Sequence, residues 1–232
     1  MNFIFYKNGL FIKKLNLLAI ADLHIGYEQS LESSGYFIPK SQYEKIKDSL
    51  IELIEKFKPK TLLINGDIKH EFGSSSNQEW NETLDLLDTL QKKVKIIVVR
   101  GNHDNYLIPI LKKKEIKFVN NLIIKNYFFE HGHIAYEIPR KINTIIIAHE
   151  HPAVVILKEF RKYKFKCFLK GFYLNKELIV LPSFSPIMPG TEINLVSQKE
   201  LLSPILRKVK LKDFEVLIYE EKLYRFKLYD LI

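Results

Sequence analysis

Seven histidines, at positions 24, 70, 103, 131, 133, 149 and 151, each stand beside or close to an aspartate, a glycine, an asparagine or another histidine. None falls in the C-terminal third of the chain. Imidazole is the commonest metal ligand and the usual acid or base near neutral pH, so such an arrangement points to metal or proton chemistry. Asp22-Leu23-His24 repeats a ligand type at spacing two, which puts both side chains on one side of an extended segment. Gly66-Asp67 offers a carboxylate at a turn, with His70 three residues on, placed to meet a bound ligand or to cap the next segment. Gly101-Asn102-His103-Asp104 combines a sharp turn, a neutral carbonyl ligand, a proton donor and a carboxylate to orient it. His131-Gly132-His133 and His149-Glu150-His151 repeat histidine at spacing two. Taken singly, each cluster has an ordinary explanation as a polar turn or a pair of surface histidines. Taken in order they do not, because every cluster closes an apolar run and together they use every histidine.

Those apolar runs are the elements that must position the clusters. Residues 17–21 (LLAIA), 61–65 (TLLIN) and 94–99 (VKIIVV) read as strands buried on both faces. Between them lie two amphipathic helices. The first spans 40–57, with Tyr43, Ile46, Leu50, Leu53, Ile54 and Phe57 on one face; the second spans 77–92, after a loop at 73–77. Ahead of them, apolar runs at 3–6 and 11–14 flank Asn8-Gly9, a hairpin signal. This is α/β logic, with polar groups gathered at the carboxyl ends of sheet strands. The second half is richer in strands, expected at 122–130, 143–148, 154–158, 165–169, 177–181, 214–219 and 223–228, with a proline-rich loop at 182–192. Without repeats or linkers, the 232 residues read as one domain, 1–232.

In sequence order the motifs D-x-H, G-D, G-N-H-D, a histidine after a strand and H-x-H resemble those of the calcineurin-like metallophosphoesterase superfamily, over residues 22–151. The phrases ADLHIGYE, NGDIKHEFG, VVRGNHD, EHGH and AHEHP are similar to the archaeal SbcD-related phosphoesterases, a branch allied to the nuclease subunit of double-strand-break repair. The last motif departs from the pattern, with Ala148 where glycine is usual; alanine keeps the turn if its φ stays negative. The resemblance implies a four-layer α/β/β/α sandwich of two mixed sheets flanked by helices; the break-repair nucleases add a DNA-binding domain, but with 81 residues after His151 no separate DNA-capping domain is expected here. It also implies two divalent metal ions. Asp22, His24, Asp67 and His151 would hold one, and Asp67, Asn102, His131 and His149 the other, Asp67 bridging. His103 would protonate the leaving oxygen and Asp104 would orient it. Either His131 or His133 could be the ligand; His131 is preferred as the first residue after the strand, leaving His133, like His70, as a substrate contact.

Such a donor set suits the chemistry. Phosphodiesters repel nucleophiles because they are anionic, and two cations about 3.5–4 Å apart screen that charge and stabilise an in-line transition state. Nitrogen and oxygen donors without thiolate suit manganese first, with iron, zinc, nickel or cobalt as alternatives. The expected activity is therefore that of a metal-dependent phosphodiesterase or nuclease acting on nucleic acid or nucleotides. A small-molecule phosphatase is the alternative, and a non-catalytic scaffold is disfavoured by the intact ligand set. The net charge of +9 fits a DNA or RNA partner but also fits lysine-rich composition, since lysine far outnumbers arginine. Arg100 is expected to pair with a carboxylate, and Tyr27 and Phe72 either pack or stack on a base. The single cysteine, Cys167, excludes an internal disulfide, reads as a small buried apolar residue and fits a reducing, cytoplasmic setting. No apolar run is long enough to cross a bilayer.

Overall fold

The computed structural model describes residues 2–73 and 76–231; residues 74 and 75, within the loop expected at 73–77, lie outside the described residues. The N-terminal half forms a six-stranded sheet in the order β1-β2-β3-β4-β5-β6. The hairpin β1 (Phe3–Tyr6) and β2 (Gly9–Ile12) leads antiparallel into β3 (Leu17–Ile20). From β3 the chain runs through α1 (Tyr27–Ser33) and α2 (Gln42–Phe57) to β4 (Thr61–Asn65), through α3 (Asn77–Gln91) to β5 (Lys95–Val99), and through α4 (Ile108–Lys113) to β6 (Lys117–Val119). β3 to β6 are parallel. Each parallel strand therefore ends on the same edge, which is where the motifs lie. The buried face of α2 carries Ile46, Leu50, Leu53 and Ile54. It packs with Leu86, Leu87 and Leu90 of α3 on Leu18, Ile20, Leu62, Ile64 and Val98 of the sheet. Ser76 caps α3 by accepting from the Glu79 N–H at 3.1 Å.

The second half forms a seven-stranded mixed sheet. β7 (Asn121–Ile124) and β8 (Tyr127–Glu130) are a hairpin, and β9 (Thr144–Ile147) lies parallel to β8. β10 (Pro152–Lys158), β11 (Arg161–Lys166) and the two-residue β14 (Thr191–Glu192) make a separate small sheet. The main sheet is completed by β12 (Phe168–Tyr173), β13 (Lys176–Val180), β15 (Glu215–Tyr219) and β16 (Leu223–Lys227). Its order is β16-β15-β12-β13-β9-β8-β7. The two large sheets pack face to face through Phe5, Leu10, Leu63, Ile97 and Val99 on one side and Phe129, Ile146, Phe168, Ile179 and Leu217 on the other. This is the expected mixed α/β sandwich. Its outermost layer over the second sheet is built differently from the helices outside the first. Val154 of the small sheet, with Leu201, Ile205, Leu206 and Leu211 from 3-10 turns and loops, covers Ile145, Leu169, Val180 and Val216. No helix among the described residues is long and apolar enough to cross a membrane.

Three local expectations are corrected. The first hairpin turns on Lys7-Asn8, with φ +49° at Lys7, and Gly9 is already the first residue of β2. The run expected as one strand over 122–130 breaks at Lys125-Asn126, with φ +55° at Lys125, into the β7–β8 hairpin. The strand expected at 165–169 is two, because at Cys167 the chain leaves the small sheet for the large one.

Candidate metal centre

Seven predicted ligands converge where the two sheets meet. Asp22 and His24 follow β3, Asp67 follows β4, Asn102 follows β5, His131 follows β8, and His149 and His151 follow β9. The turns after β3 and β4 are zipped together by backbone bonds: Asp22 N–H donates to Gly66 O at 3.0 Å, His24 N–H to Asp67 O at 3.0 Å and Ile25 N–H to Ile68 O at 2.9 Å. Across the sandwich, His149 N–H donates to Asp22 Oδ2 at 3.2 Å. Asp22-Leu23-His24 is not extended as expected. Asp22, His24, Asp67, His149 and His151 all hold left-handed φ between +46° and +69°. Each such non-glycine residue costs of order 1–3 kcal/mol and persists only where its surroundings dictate it. Ala148, by contrast, is not among the positive-φ residues, so the departure from glycine is harmless.

Two donor groups share one carboxylate. Donor atoms of Asp22, His24, Asp67 and His151 lie within 4.8 Å of one another, as do those of Asp67, His131 and His149. In the first group His24 Nε2 faces His151 Nε2 at 3.2 Å, and His151 Nε2 lies 3.4 Å from Asp22 Oδ2. In the second, His131 Nε2 sits 3.2 Å from Asp67 Oδ2 and 3.1 Å from Asn102 Oδ1. His131 Nδ1–H donates to Asn65 O at 2.9 Å, which fixes the ring with Nε2 turned inward. His133 belongs to neither group; its ring centre is 5.2 Å from that of His131 and 5.9 Å from that of His149.

The environment suits divalent cations. Asp22, Asp67 and His131 are buried, and Asp22 Oδ1 has no hydrogen-bond partner among the described residues. Such a buried carboxylate oxygen is costly without a counter-charge. Burial works against ionisation of Asp67, but His131, His24 and His103 around it hold its carboxyl far below the usual carboxylate range. Burial likewise opposes charging of His131, yet Asp67 and Asp22 outweigh it and raise His131 to about 10, so a proton and a cation compete for the same nitrogen. Burial and the charge of His131 push His149 down to about 3 and His133 to about 4; burial and His151 lower His24. These rings stay neutral and available as donors.

The two residues expected to be catalytic, His103 and Asp104, are arranged differently from expectation. Asp104 does not orient His103. Its two carboxylate oxygens accept from the backbone N–H groups of Asp67, Ile68 and Gly101, each at 2.9 Å, locking the turns after β4 and β5 together. Burial and the Asp67 charge push Asp104 up to about 6. His103 is held instead through Nδ1 on His70 O, by its own N–H on Asp67 Oδ1 at 3.0 Å and by the Phe72 ring stacked on it at 3.7 Å. His103 Nε2 lies 3.8 Å from Asp67 Oδ2. The His70 ring stands beside those of His24, 5.4 Å away, and Tyr27, 4.6 Å away. Arg100 donates to the Asn105 carboxamide rather than to a carboxylate.

Several supporting residues gave little sign of themselves in the sequence. Buried Gln42, the first residue of α2, donates to His24 O at 2.9 Å and to Ser185 Oγ at 2.8 Å. Ser183 Oγ donates to Asp22 O at 2.8 Å. Buried Glu79 of α3 accepts from the N–H groups of His70 at 2.8 Å and Glu71 at 2.9 Å. Asn65, a polar residue closing an apolar strand, was the one legible signal; its Nδ2 donates to Glu130 O at 2.8 Å.

The calcineurin-like phosphoesterase family matches residues 15–172, which include every one of these ligands. The chain belongs to that family. It is a metal-dependent phosphoester hydrolase; the family implies divalent ions, and the protein has a His/Asp cluster that could hold them. In fold the phosphoesterase is similar to the Pseudomonas putida nuclease MPE, at 17% identity and a TM-score of 0.66, covering 94% of this chain and 92% of that one. Weaker likenesses are to the E. coli phosphoesterase Yfce, at 16% identity and a TM-score of 0.41 over 93% of this chain and 94% of that one. Vacuolar Protein Sorting 29 from Cryptosporidium parvum is similar at 14% identity and a TM-score of 0.37, over 91% and 97%.

Proposed function

We propose that this phosphoesterase is a two-metal phosphodiesterase that cleaves nucleic acid or nucleotides, a nuclease of the SbcD-related kind. The observation that carries the two-metal reading is Asp67, one buried carboxylate common to two donor groups. Asp22, His24, Asp67 and His151 would hold one ion, and Asp67, Asn102, His131 and His149 the other, with manganese the first expectation for this nitrogen and oxygen set. Divalent ions held there would supply charge neutralisation for the phosphate and an activated water. The chain's own groups do the rest. Asp104 fixes the turn that presents Asp67. His103, its Nδ1–H donating to His70 O, presents Nε2 to carry a proton to the departing oxygen. His70, beside His24, and His133, beside His131, flank the two donor groups and would contact the phosphate on either side. The basic balance of the chain supports an anionic polymer as substrate.

A single panel tests the reading: purified protein with manganese, assayed on single-stranded DNA, duplex DNA, bis(p-nitrophenyl) phosphate and p-nitrophenyl phosphate. Diester or DNA cleavage should outpace the monoester. Faster turnover of p-nitrophenyl phosphate than of every diester would overturn it in favour of a small-molecule phosphatase.

A further inference from the structure

The hairpin β10–β11 grows directly out of the metal centre. β10 starts at Pro152, immediately after His151, and β11 returns to the centre at Lys166. The Lys166 ammonium donates to the carbonyls of Ser183, at 3.3 Å, and Ser185, in the loop that grips the Asp22 carbonyl. At a strand's rise per residue the hairpin tip lies about 20 Å from its base. Between base and tip the sequence VILKEFRKYKFK holds five basic side chains and one acidic one, Glu159.

Register sorts these side chains. Pairing of Leu157 with Lys162, Val155 with Lys164 and Ala153 with Lys166 places the three lysines on one face, as a row leading outward from the metal centre. Successive lysines are about 7 Å apart along the strand. The opposite face, Val154, Ile156 and Phe165, packs toward the large sheet. Lys164 pairs with Glu192 at 3.1 Å, while Lys162 on this face and Arg161, next to it at the tip on the other face, are exposed without a carboxylate partner among the described residues. At the tip, Glu159 and Phe160 form a two-residue turn with φ of +51° and +62°. Such a turn favours glycine or asparagine. Phe160 occupies it instead and is fully exposed, at 108%, beside Leu157 at 70%. A large aromatic held in a left-handed conformation and wholly in solvent contributes nothing to this fold.

We infer that the β10–β11 hairpin is a binding arm for single-stranded nucleic acid, its lysine row tracking the phosphates into the metal centre and Phe160 stacking on a base. The inference rests on the nucleic-acid reading above. Positive charge following a backbone, joined to a sequence-tolerant aromatic platform, is the chemistry by which single strands are held. Duplex has no unstacked base to offer Phe160.

Binding is measured by fluorescence anisotropy of labelled oligo-dT and oligo-U and of a DNA duplex, using the whole protein, wild type against Phe160→Ala and against Arg161→Ala with Lys162→Ala. Phe160→Ala should weaken single-strand binding about 5- to 100-fold. The double variant should lower the steepness of log K against log salt by about 0.7 per lost contact. Hydrolysis of bis(p-nitrophenyl) phosphate should be unchanged in both, which shows that the variants fold. Wild-type affinity and salt slope in both variants, a loss confined to duplex, or no oligonucleotide binding by the wild type would each overturn the arm. So would association of the double variant into oligomers without loss of binding, since lysines on an edge strand would then serve only to block pairing. Failure of the phosphodiesterase reading is separate: it appears as monoester preference in the wild type, whatever the hairpin does.

Discussion

His103, like His70 and His133, has no place in either Asp67-centred donor group; its ring nitrogens gather instead with those of His24 and His70. Its Nδ1 is committed to the His70 carbonyl and its ring lies under Phe72. That leaves Nε2 for a substrate oxygen. Acid assistance of this type is typically worth about 10²–10⁴-fold. His103→Ala should keep its metal content, lose rate in that range on a nucleotide diester and lose much less on bis(p-nitrophenyl) phosphate, whose leaving group needs no proton. Equal losses on both substrates with the metals intact would reassign His103 to positioning phosphate; loss of metal would make it a ligand or a fold-holding residue. Asp67 and Asn102 give a second contrast. Asp67→Asn should deplete both ions, because its carboxylate faces both groups, whereas Asn102→Ala should deplete mainly one, since Asn102 Oδ1 lies 3.1 Å from His131 Nε2 of the second group. Metal counting by mass spectrometry reads the difference, and equal occupancy in Asp67→Asn and wild type would remove the bridge. At this scale the sequence was most legible. Residue types at short spacing announced the donors, and position after the strand FFE favoured His131 over His133. What spacing could not convey was the partner of each polar atom, which is why Asp104 was read as a partner of His103 when it binds three backbone amides instead.

At the scale of elements, the centre depends on how closely the turns after β4 and β5 approach. A side-chain carbon added at Gly101 would lie 2.0 Å from Asp67 Oδ1, and one at Gly66, where φ is +95°, would lie 2.1 Å from His131 Nδ1. No relaxation of a flexible side-chain end relieves those contacts without moving a ligand. Asp104 supplies the attraction that holds the same turns together. Replacing it with alanine leaves three buried N–H groups without an acceptor, each worth roughly 1–3 kcal/mol. Asp104→Ala should therefore lower the stability of the metal-free protein by about 3 kcal/mol or more in urea denaturation. A loss below about 1 kcal/mol would mean that water replaces the carboxylate and that the turns hold by themselves. The parallel strands β3, β4 and β5 were legible as short continuous apolar runs and α2 by an unbroken apolar periodicity, whereas three-residue β6, half exposed, gave no such run. The β7–β8 turn was not. Lys125-Asn126 interrupts the run NLIIKNYFFE without a glycine, and left-handed φ at a lysine leaves no compositional trace. The left-handed ligands were hidden for the same reason: a D-x-H read as an extended strand has the right donors and the wrong backbone.

At the scale of the molecule, the metal centre joins the two halves of the chain. Asp22, His24, Asp67 and Asn102 come from the first sheet, and His131, His149 and His151 from the second. The sheets already share an apolar interface, a tie that needs no ion. Cations bound at their common edge add a second tie. They would also offset what the fold leaves uncompensated: a buried Asp22 oxygen without a hydrogen-bond partner among the described residues and five candidate ligands in left-handed conformations. An ion that binds only the folded state stabilises it by RT ln(1 + [L]/Kd), about 2.7 kcal/mol per site at a hundredfold excess over Kd. Melting of the wild type should therefore rise by several degrees when manganese is added to chelated protein and fall back when EDTA removes it. Asp67→Asn should show little of this rise, because the variant weakens both sites, while Asn102→Ala should keep roughly half. Titrating manganese at fixed protein concentration separates specific binding from ionic strength, since magnesium at the same concentration supplies equal charge with less affinity for imidazole. If the wild type melts at one temperature with metal and with chelator, although mass spectrometry shows both ions gained and lost, the ions do not tie the sheets. The strained turns would then be held entirely by Asp104, Gln42 and the backbone bonds between the β3 and β4 turns.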